Sequence, residues 1–531
     1  MHQTPCLSHR WTKAALFTFL LSSLLLLMQA PFFFHDMRSA DTVYHAARID
    51  RTLLGQPLID PFSGTETVYP PFFHLMGAGL ASVFHLTGEE TIHFLGMATY
   101  IFLALSLFFF AYSLLQDTRL ASLFCLFFSF VHYAPSTKYL LLQGPATFSH
   151  PFIFLGMGAY FHFRNTKNAR WLYTGAFLLA VGCQIWWFNL FLAAPFLATA
   201  LTAERGFLTK KVVFRTILCF LLPFFATLCQ LYLIRHTLPN YLQEGEKATR
   251  ELLRPFVSTL LLKGQGDYLE TLPPWKWHYD PHTSWMKTGR DAVNFVFFFL
   301  LSLPSSLFIP LAACYLTLRK KIAIPLFLLF LLPLLFSILL LFKGNTAHLY
   351  RVQLYTGALA LLLLIGAISS MEVPIKALRQ GVKTLAFLAC FFTLWHVLHN
   401  PLTIGKREFH LPEDQETALY IRKLPAGEKE RILFTDSSYR SLVTLTPFYS
   451  LVGNRNGSYY FQDPVTSRKM EQAYQTFIGG RHSQENIEEY PIRLMGFDKT
   501  DPVERLLLKR YRNEGEVAFE NAKWTLLKID H

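Results

Sequence analysis

Close to its start the chain reads His35-Asp36-Met37-Arg38-Ser39-Ala40-Asp41-Thr42-Val43-Tyr44-His45-Ala46-Ala47-Arg48-Ile49-Asp50-Arg51, directly after the apolar run Ala14 to Phe34. Leu53-Leu54-Gly55 follows, and further on Tyr69-Pro70-Pro71-Phe72-Phe73-His74. A carboxylate beside the membrane surface, ahead of an amphipathic helix carrying two arginines, suits one kind of task. It can take a proton from an acceptor hydroxyl or amine while guanidinium groups hold a lipid-linked phosphate. Asp41 is the candidate base, with Asp36 its substitute if the helix begins earlier. Arg48 and Arg51 are candidate phosphate ligands, and Tyr44 and His45 candidate substrate contacts. Each has a plainer reading. Asp41 opens the helix, where Asp is a favoured N-cap. Tyr44 and His45 fit interfacial residues with satisfied polar ends, and lipid headgroups would also attract Arg48 and Arg51.

Further candidates stand elsewhere. Arg351 follows His348 at the outer end of a late span, where an arginine either snorkels or pairs with an anion. Trp275, Trp277, His278 and Tyr279, with Asp267 and Tyr268 upstream, could stack on sugar rings or form an aromatic belt. His150, Gln184 and Asn189 lie in or near apolar spans and call for helix-to-helix hydrogen bonds. Asp436, Ser437 and His482 lack the spacing of a catalytic triad. No pair of Cys or His residues has metal-ligand spacing, so a divalent metal is possible but not indicated, and no cofactor is expected.

These residues need elements to hold them, and the composition says where those elements lie. Of 531 residues, 52% are hydrophobic, too many over the first 400 for one soluble core, so a bilayer must be part of the solvent. Candidate spans of suitable length are Ala14 to Phe34, Ile92 to Leu115, Leu120 to Ala134, Pro151 to Phe163, Trp171 to Phe188 and Asn189 to Leu201. Val212 to Ile234, Ala292 to Leu316, Ile322 to Phe342, Arg351 to Ser370 and Lys383 to His399 bring the crossings to about eleven. The net charge of +13 lies entirely in this part, because residues from Pro401 onward carry 19 basic and 19 acidic side chains. Lys and Arg held in cytoplasmic loops explain that excess, and nucleic-acid binding is set aside.

The segment Tyr69 to Leu86 decides the topology. If it crosses, the clusters Arg164, Lys167, Arg170 and Arg319, Lys320, Lys321 fall outside; if it lies in the interface, they fall in the cytoplasm. The positive-inside rule favours the second. Residues 1–400 then form a membrane domain with a cytoplasmic N-terminus, a first outer loop at 35–91 with in-plane helices and a long outer loop at 236–291. Residues 401–531 form an extracytoplasmic domain, expected as a small α/β fold from short β-like runs at Ile432 to Thr435, Leu442 to Leu445 and Trp524 to Ile529 and helix-like stretches near Thr466 to Phe477 and Pro502 to Tyr511.

The first outer loop resembles that of the GT-C superfamily of polyprenyl-phosphate-sugar-dependent glycosyltransferases, which includes protein O-mannosyltransferases and the lipid A aminoarabinose transferase. In that family an Asp soon after the first span opens an Asp-x-x-Tyr-His type helix, and a Pro-Pro pair opens a second helix along the membrane. Asp41, Tyr44, His45, Pro70 and Pro71 match in order. The resemblance implies an inner- or plasma-membrane enzyme that transfers a hexosyl or pentosyl unit with inversion to a glycan, lipid or protein acceptor. It also implies Asp41 as base and Arg351 at the donor phosphate, which Arg48 and Arg51 would share. Tyr69 stands where aminoarabinose transferases carry a basic residue before Pro-Pro. The second acidic motif and the Trp-Trp-Asp-Tyr-Gly signature of oligosaccharyltransferases are not matched: the corresponding outer loop reads Leu142-Gln143-Gly144-Pro145-Ala146, and Trp186-Trp187 lies in a span. A transporter or lipid flippase is the alternative; the scarcity of ionisable residues inside the spans and the lack of an internal repeat between halves speak against it.

Overall fold

The structure is a computed structural model that describes residues 40–61, 64, 66–67, 69–118, 120–122, 124–125, 144–186, 189–236, 239, 412–424, 431–434, 449–451, 472, 492–513 and 515–528. They fall into two compact units. The described residues of Gly96–Phe225 belong to one, and those of Phe34–Leu95, Ala226–Lys247 and Thr403–His531 to the other.

Helix α1 runs over Ala40–Leu53, α2 over Phe72–Phe84 and α3 over Gly88–Leu115. The Pro70-Pro71 pair starts α2 because proline supplies a helix-ready φ and lacks the N–H that a first turn leaves unpaired; Pro71 is the N-cap, and its carbonyl accepts from Leu75 N–H at 2.8 Å. At 13 residues α2 is about 20 Å long, short of the roughly 30 Å of hydrocarbon, so it does not cross a bilayer as a helix. It ends at His85, whose φ of 55° puts it in the left-handed region, and Leu86 N–H closes the turn on Ala81 O at 2.9 Å. Thr87 and Glu90 then start α3 as a reciprocal capping box: Thr87 N–H donates to the Glu90 carboxylate at 2.8 Å and Glu90 N–H to the Thr87 hydroxyl at 3.2 Å.

In the other unit α4 spans Pro145–Thr166, α5 Ala169–Ile185, α6 Leu190–Ala203 and α7 Lys210–Leu221. Helix α4 begins six residues before the expected Pro151. The true opener is Pro145 after Gly144, and Pro151 lies inside the helix. Helices α4 and α5 approach through glycines: a Cβ on Gly156 would stand 3.0 Å from Gly175 O, and one on Gly175 2.9 Å from Gly156 O. Small residues at such crossings let helices pack by backbone contact where lipid removes the hydrophobic drive. Asn189, one of the polar residues expected to need a partner, donates to Ser149 Oγ at 2.8 Å and to Gly182 O at 3.1 Å. Pro223 breaks the next span into α7, a 3₁₀ turn at Leu222–Phe224, and α8 over Phe225–Leu233. Among the described residues, Gly88–Leu115 and Lys210–Leu233 are long and apolar enough to cross a membrane. The spans expected at Ala14 to Phe34 and beyond residue 292 lie outside the described residues.

The C-terminal region holds a five-stranded sheet in the order β2-β1-β3-β5-β4, with strands Arg431–Phe434, Tyr449–Leu451, Ile492–Asp498, Glu516–Glu520 and Trp524–Lys528 numbered in chain order. β1 pairs parallel with β2 and β3, and β5 pairs antiparallel with β3 and β4. Helix α9, Pro412–Lys423, covers it, and its Asp414 accepts from the Trp524 indole N–H at 2.6 Å. Gly496 faces Phe434 across the β1–β3 register; a Cβ there would fall 2.3 Å from the ring. Helix α10, Pro502–Tyr511, coincides with an expected helix, whereas the expected stretches Leu442 to Leu445 and, apart from Gln472, Thr466 to Phe477 lie outside the described residues.

Candidate functional site

Helix α1 is enclosed rather than laid on a surface. His45, Ala46, Ala47, Arg48 and Ile49 are all buried, and Arg48 is 0% exposed. Two neighbours close it in. Gly77 of α2 lies over Ile49, with room for no Cβ short of 2.6 Å from the Ile49 side chain. Gly88 at the start of α3 lies over the Ala46 carbonyl, and its N–H donates to Asp50 Oδ1 at 2.7 Å. A Cβ on Gly88 would sit 2.1 Å from the Ala46 carbonyl oxygen, so α1 or α3 would have to move. Gly88→Val is therefore expected to destabilise the protein by about 1–3 kcal/mol, read as a lowered melting temperature in detergent; an unchanged melting temperature would contradict the packing.

The connection from α1 to α2 folds back on itself. Ile59 and Glu66 form an antiparallel bridge, and Thr67 N–H donates to Leu58 O at 3.0 Å. This brings the Tyr69 main chain to Arg48, whose Nη2 donates to Tyr69 O at 2.8 Å and to Pro57 O at 3.3 Å. The guanidinium carbon lies 5.2 Å from the Tyr69 ring centroid, a cation–π placement. Arg48 Nε and Nη1 are buried and have no hydrogen-bond partner among the described residues. Arginine keeps its charge at any working pH, so such a group is costly to bury unless an anion comes to it.

Around Arg48 stands an aromatic cluster of Tyr44, His45, Tyr69, Phe73 and His74, with ring centroids 5.2 to 6.1 Å apart. His45 Nδ1 and His74 Nε2 are 3.0 Å apart, so one ring carries its proton on the shared edge and the other does not. Burial holds His74 well below the ordinary histidine range, Arg48 and His45 push the same way, and the Pro70 carbonyl opposes weakly. Burial, and then the nearby Asp60 carboxylate, hold the Tyr44 phenol protonated well above its ordinary range. The site thus sets a neutral His74 imidazole and a neutral Tyr44 phenol beside the Arg48 guanidinium, with the Asp60 carboxylate near the phenol.

This has a consequence for pH. Because the folded state resists protonating His74, the unfolded chain binds one more proton once pH falls below about 6.5. Stability is therefore expected to fall with decreasing pH from there, by up to about 1.4 kcal/mol per pH unit from this group. Denaturant titrations between pH 7 and 5 should show a shallower decline in His74→Asn; an equal slope would contradict the assignment.

Of the residues singled out in the sequence, Tyr44, His45, Arg48 and Arg51 come together on α1, and Arg51 is buried too. The alternative that Arg48 faces lipid headgroups does not survive its burial. Asp41 lies inside the first turn of α1, which begins at Ala40. Asp36, Trp275, Trp277, His348 and Arg351 lie outside the described residues. Three members of the site went unnoticed as such: buried Asp60, His74 and Gln230. Gln230 of α8 donates to Thr67 O at 2.9 Å and to Tyr69 O at 3.0 Å. A lone amide near the end of an apolar span was its only sequence signal. Among the described residues no three His, Cys, Asp or Glu side chains are grouped as a metal site requires.

No family model matches the chain, and no curated protein matches it in sequence. Solved structures do match in fold. The oligosaccharyltransferase of Archaeoglobus fulgidus aligns at TM-score 0.55 and 12% identity, covering 91% of this chain and 69% of that one. ArnT from Cupriavidus metallidurans aligns at TM-score 0.53 and 11% identity over 97% of this chain and 98% of its own. The arabinofuranosyltransferase AftD from Mycobacteria aligns at TM-score 0.54 and 13% identity over 99% of this chain and 40% of that one. The chain therefore shares its fold with these three solved proteins, two of which, ArnT and the oligosaccharyltransferase, are of the kind that the Asp41 to Pro71 segment resembles.

Proposed function

We propose that this protein is a membrane glycosyltransferase that moves a sugar from a polyprenyl-phosphate donor to an acceptor on the extracytoplasmic face. The observation that carries the reading is Arg48: a buried cation whose Nε and Nη1 have no hydrogen-bond partner among the described residues, held on a loop frame beside the short helix α2. A phosphate is an anion it fits, since the Nε–H and Nη1–H groups can each donate to an oxygen while the guanidinium charge is fixed. Arg48 lies over Tyr69 and so supplies a cation at the place where aminoarabinose transferases carry a basic side chain before Pro-Pro.

In the reaction, Asp41 takes the proton from the acceptor hydroxyl or amine as its oxygen or nitrogen bonds to the anomeric carbon. The bond from that carbon to the phosphate oxygen breaks, and the sugar inverts. The departing polyprenyl phosphate gains negative charge, which Arg48 stabilises, joined by Arg351 and Arg51. Residues 1–400 form the membrane domain, about eleven spans with the N-terminus in the cytoplasm. Residues 401–531 form an extracytoplasmic cap or acceptor platform. The unit transferred is a hexosyl or pentosyl one.

Undecaprenyl phosphate without sugar tests the carrying observation. It should raise the melting temperature of the wild-type protein in nanodiscs and leave that of Arg48→Gln unmoved; equal shifts in both would remove the phosphate from Arg48.

A further inference from the structure

Helix α8 has an inverted pattern. Phe225, Leu228, Tyr232 and Leu233 are exposed, and the single buried residue of the helix is the polar one, Gln230, at 2% exposure. Burying an amide on an otherwise apolar helix needs a reason, and its hydrogen bonds give one. Nε2 donates to two main-chain carbonyls, Thr67 O at 2.9 Å and Tyr69 O at 3.0 Å, across more than 160 residues of sequence. Two carbonyl partners fix the orientation of the amide, because a flipped Gln230 would set its own oxygen against both. The price of that orientation is Oε1, which is buried without a hydrogen-bond partner among the described residues.

Tyr69 O is shared. Its second donor is Arg48 Nη2 at 2.8 Å. One carbonyl oxygen, with two lone pairs, is thus filled from one side by Gln230 and from the other by Arg48. The connection they meet on is otherwise held by the Ile59–Glu66 bridge, the Thr67 to Leu58 bond and Tyr69 N–H on Thr67 Oγ1 at 3.1 Å. Only Gln230 ties its returning arm to a membrane-length helix among these contacts. We infer that Gln230 is a positioning residue for the donor phosphate, acting through the Tyr69 carbonyl to fix the direction of the Arg48 guanidinium. The inference rests on the donor reading above.

A double-mutant cycle tests it, with undecaprenyl phosphate in nanodiscs as the probe and its Kd as the readout. Gln230→Leu should weaken binding about tenfold, the scale of one lost hydrogen bond. Arg48→Lys should weaken it further, and the double variant should bind no more weakly than Arg48→Lys alone, since Gln230 would have nothing left to position. Gln230→Met, which keeps chain length without a donor, replaces the leucine variant if that one does not fold. Additive losses would overturn the inference, as would unchanged binding in the Gln230 variants beside a loss in Arg48→Lys. Unchanged binding in Arg48→Lys would instead remove the donor reading itself, and the positioning role with it.

Discussion

Asp41→Asn is expected to lose glycosyl transfer by about 10²–10⁴-fold while binding undecaprenyl phosphate as the wild type does. Asparagine keeps the size of the side chain and can still support the first turn of α1, so a purely structural Asp41 would survive the change. A base would not, because an amide cannot take the acceptor proton. Asp41 stands one turn ahead of His45 on the helix that also carries Arg48, so any shift of that helix would alter donor binding as well. Unchanged binding with lost turnover is therefore the signature of the chemical role. Retained turnover in Asp41→Asn, together with loss in Asp36→Asn, would move the base upstream.

Arg48→Lys should lower kcat/KM for the donor by about 10²–10³, the range seen when one group is removed from a site where charge develops. Lysine keeps the charge but not the fork. Its one ammonium cannot hold Tyr69 O and Pro57 O, as the arginine does at 2.8 and 3.3 Å, and still present two N–H groups to a phosphate. Steady-state kinetics at varied donor concentration would read the effect, with KM for the acceptor unchanged. A loss confined to the acceptor would place the phosphate elsewhere.

What could be read from the sequence was local. The Pro70-Pro71 pair announces the start of α2, and the positive-inside balance lays the segment along the membrane, an expectation with which a helix of 13 residues is compatible. Tyr44, His45 and Arg48 could be grouped because helical spacing puts them within one turn. What could not be read was long-range. The His45–His74 contact spans 29 residues, and the Gln230 bonds to the loop span more than 160, so no periodicity connects them. The same limit hid three strands, the short β2 at Tyr449–Leu451 among them. In β3 nearly every position is buried on both faces, so Ile492–Asp498 lacks the alternation that marks a strand, and β4 is an edge strand with Glu516 and Glu520 at its ends. The burial of Arg48 was also not legible: as a candidate phosphate ligand it could equally have faced lipid headgroups, and nothing local shows that glycines 77 and 88 let α2 and α3 close over Ile49 and Ala46 of its helix.

The most direct test of donor-dependent transfer is a turnover assay on the purified protein in proteoliposomes, with a sugar-labelled undecaprenyl-phosphate donor and an extract of envelope acceptors outside. The account predicts label in the acceptor fraction and free undecaprenyl phosphate in equal amount, both absent with Arg48→Gln. Label that moves between leaflets still attached to undecaprenyl phosphate, at the same rate in wild type and variant, would contradict it and make the protein a carrier.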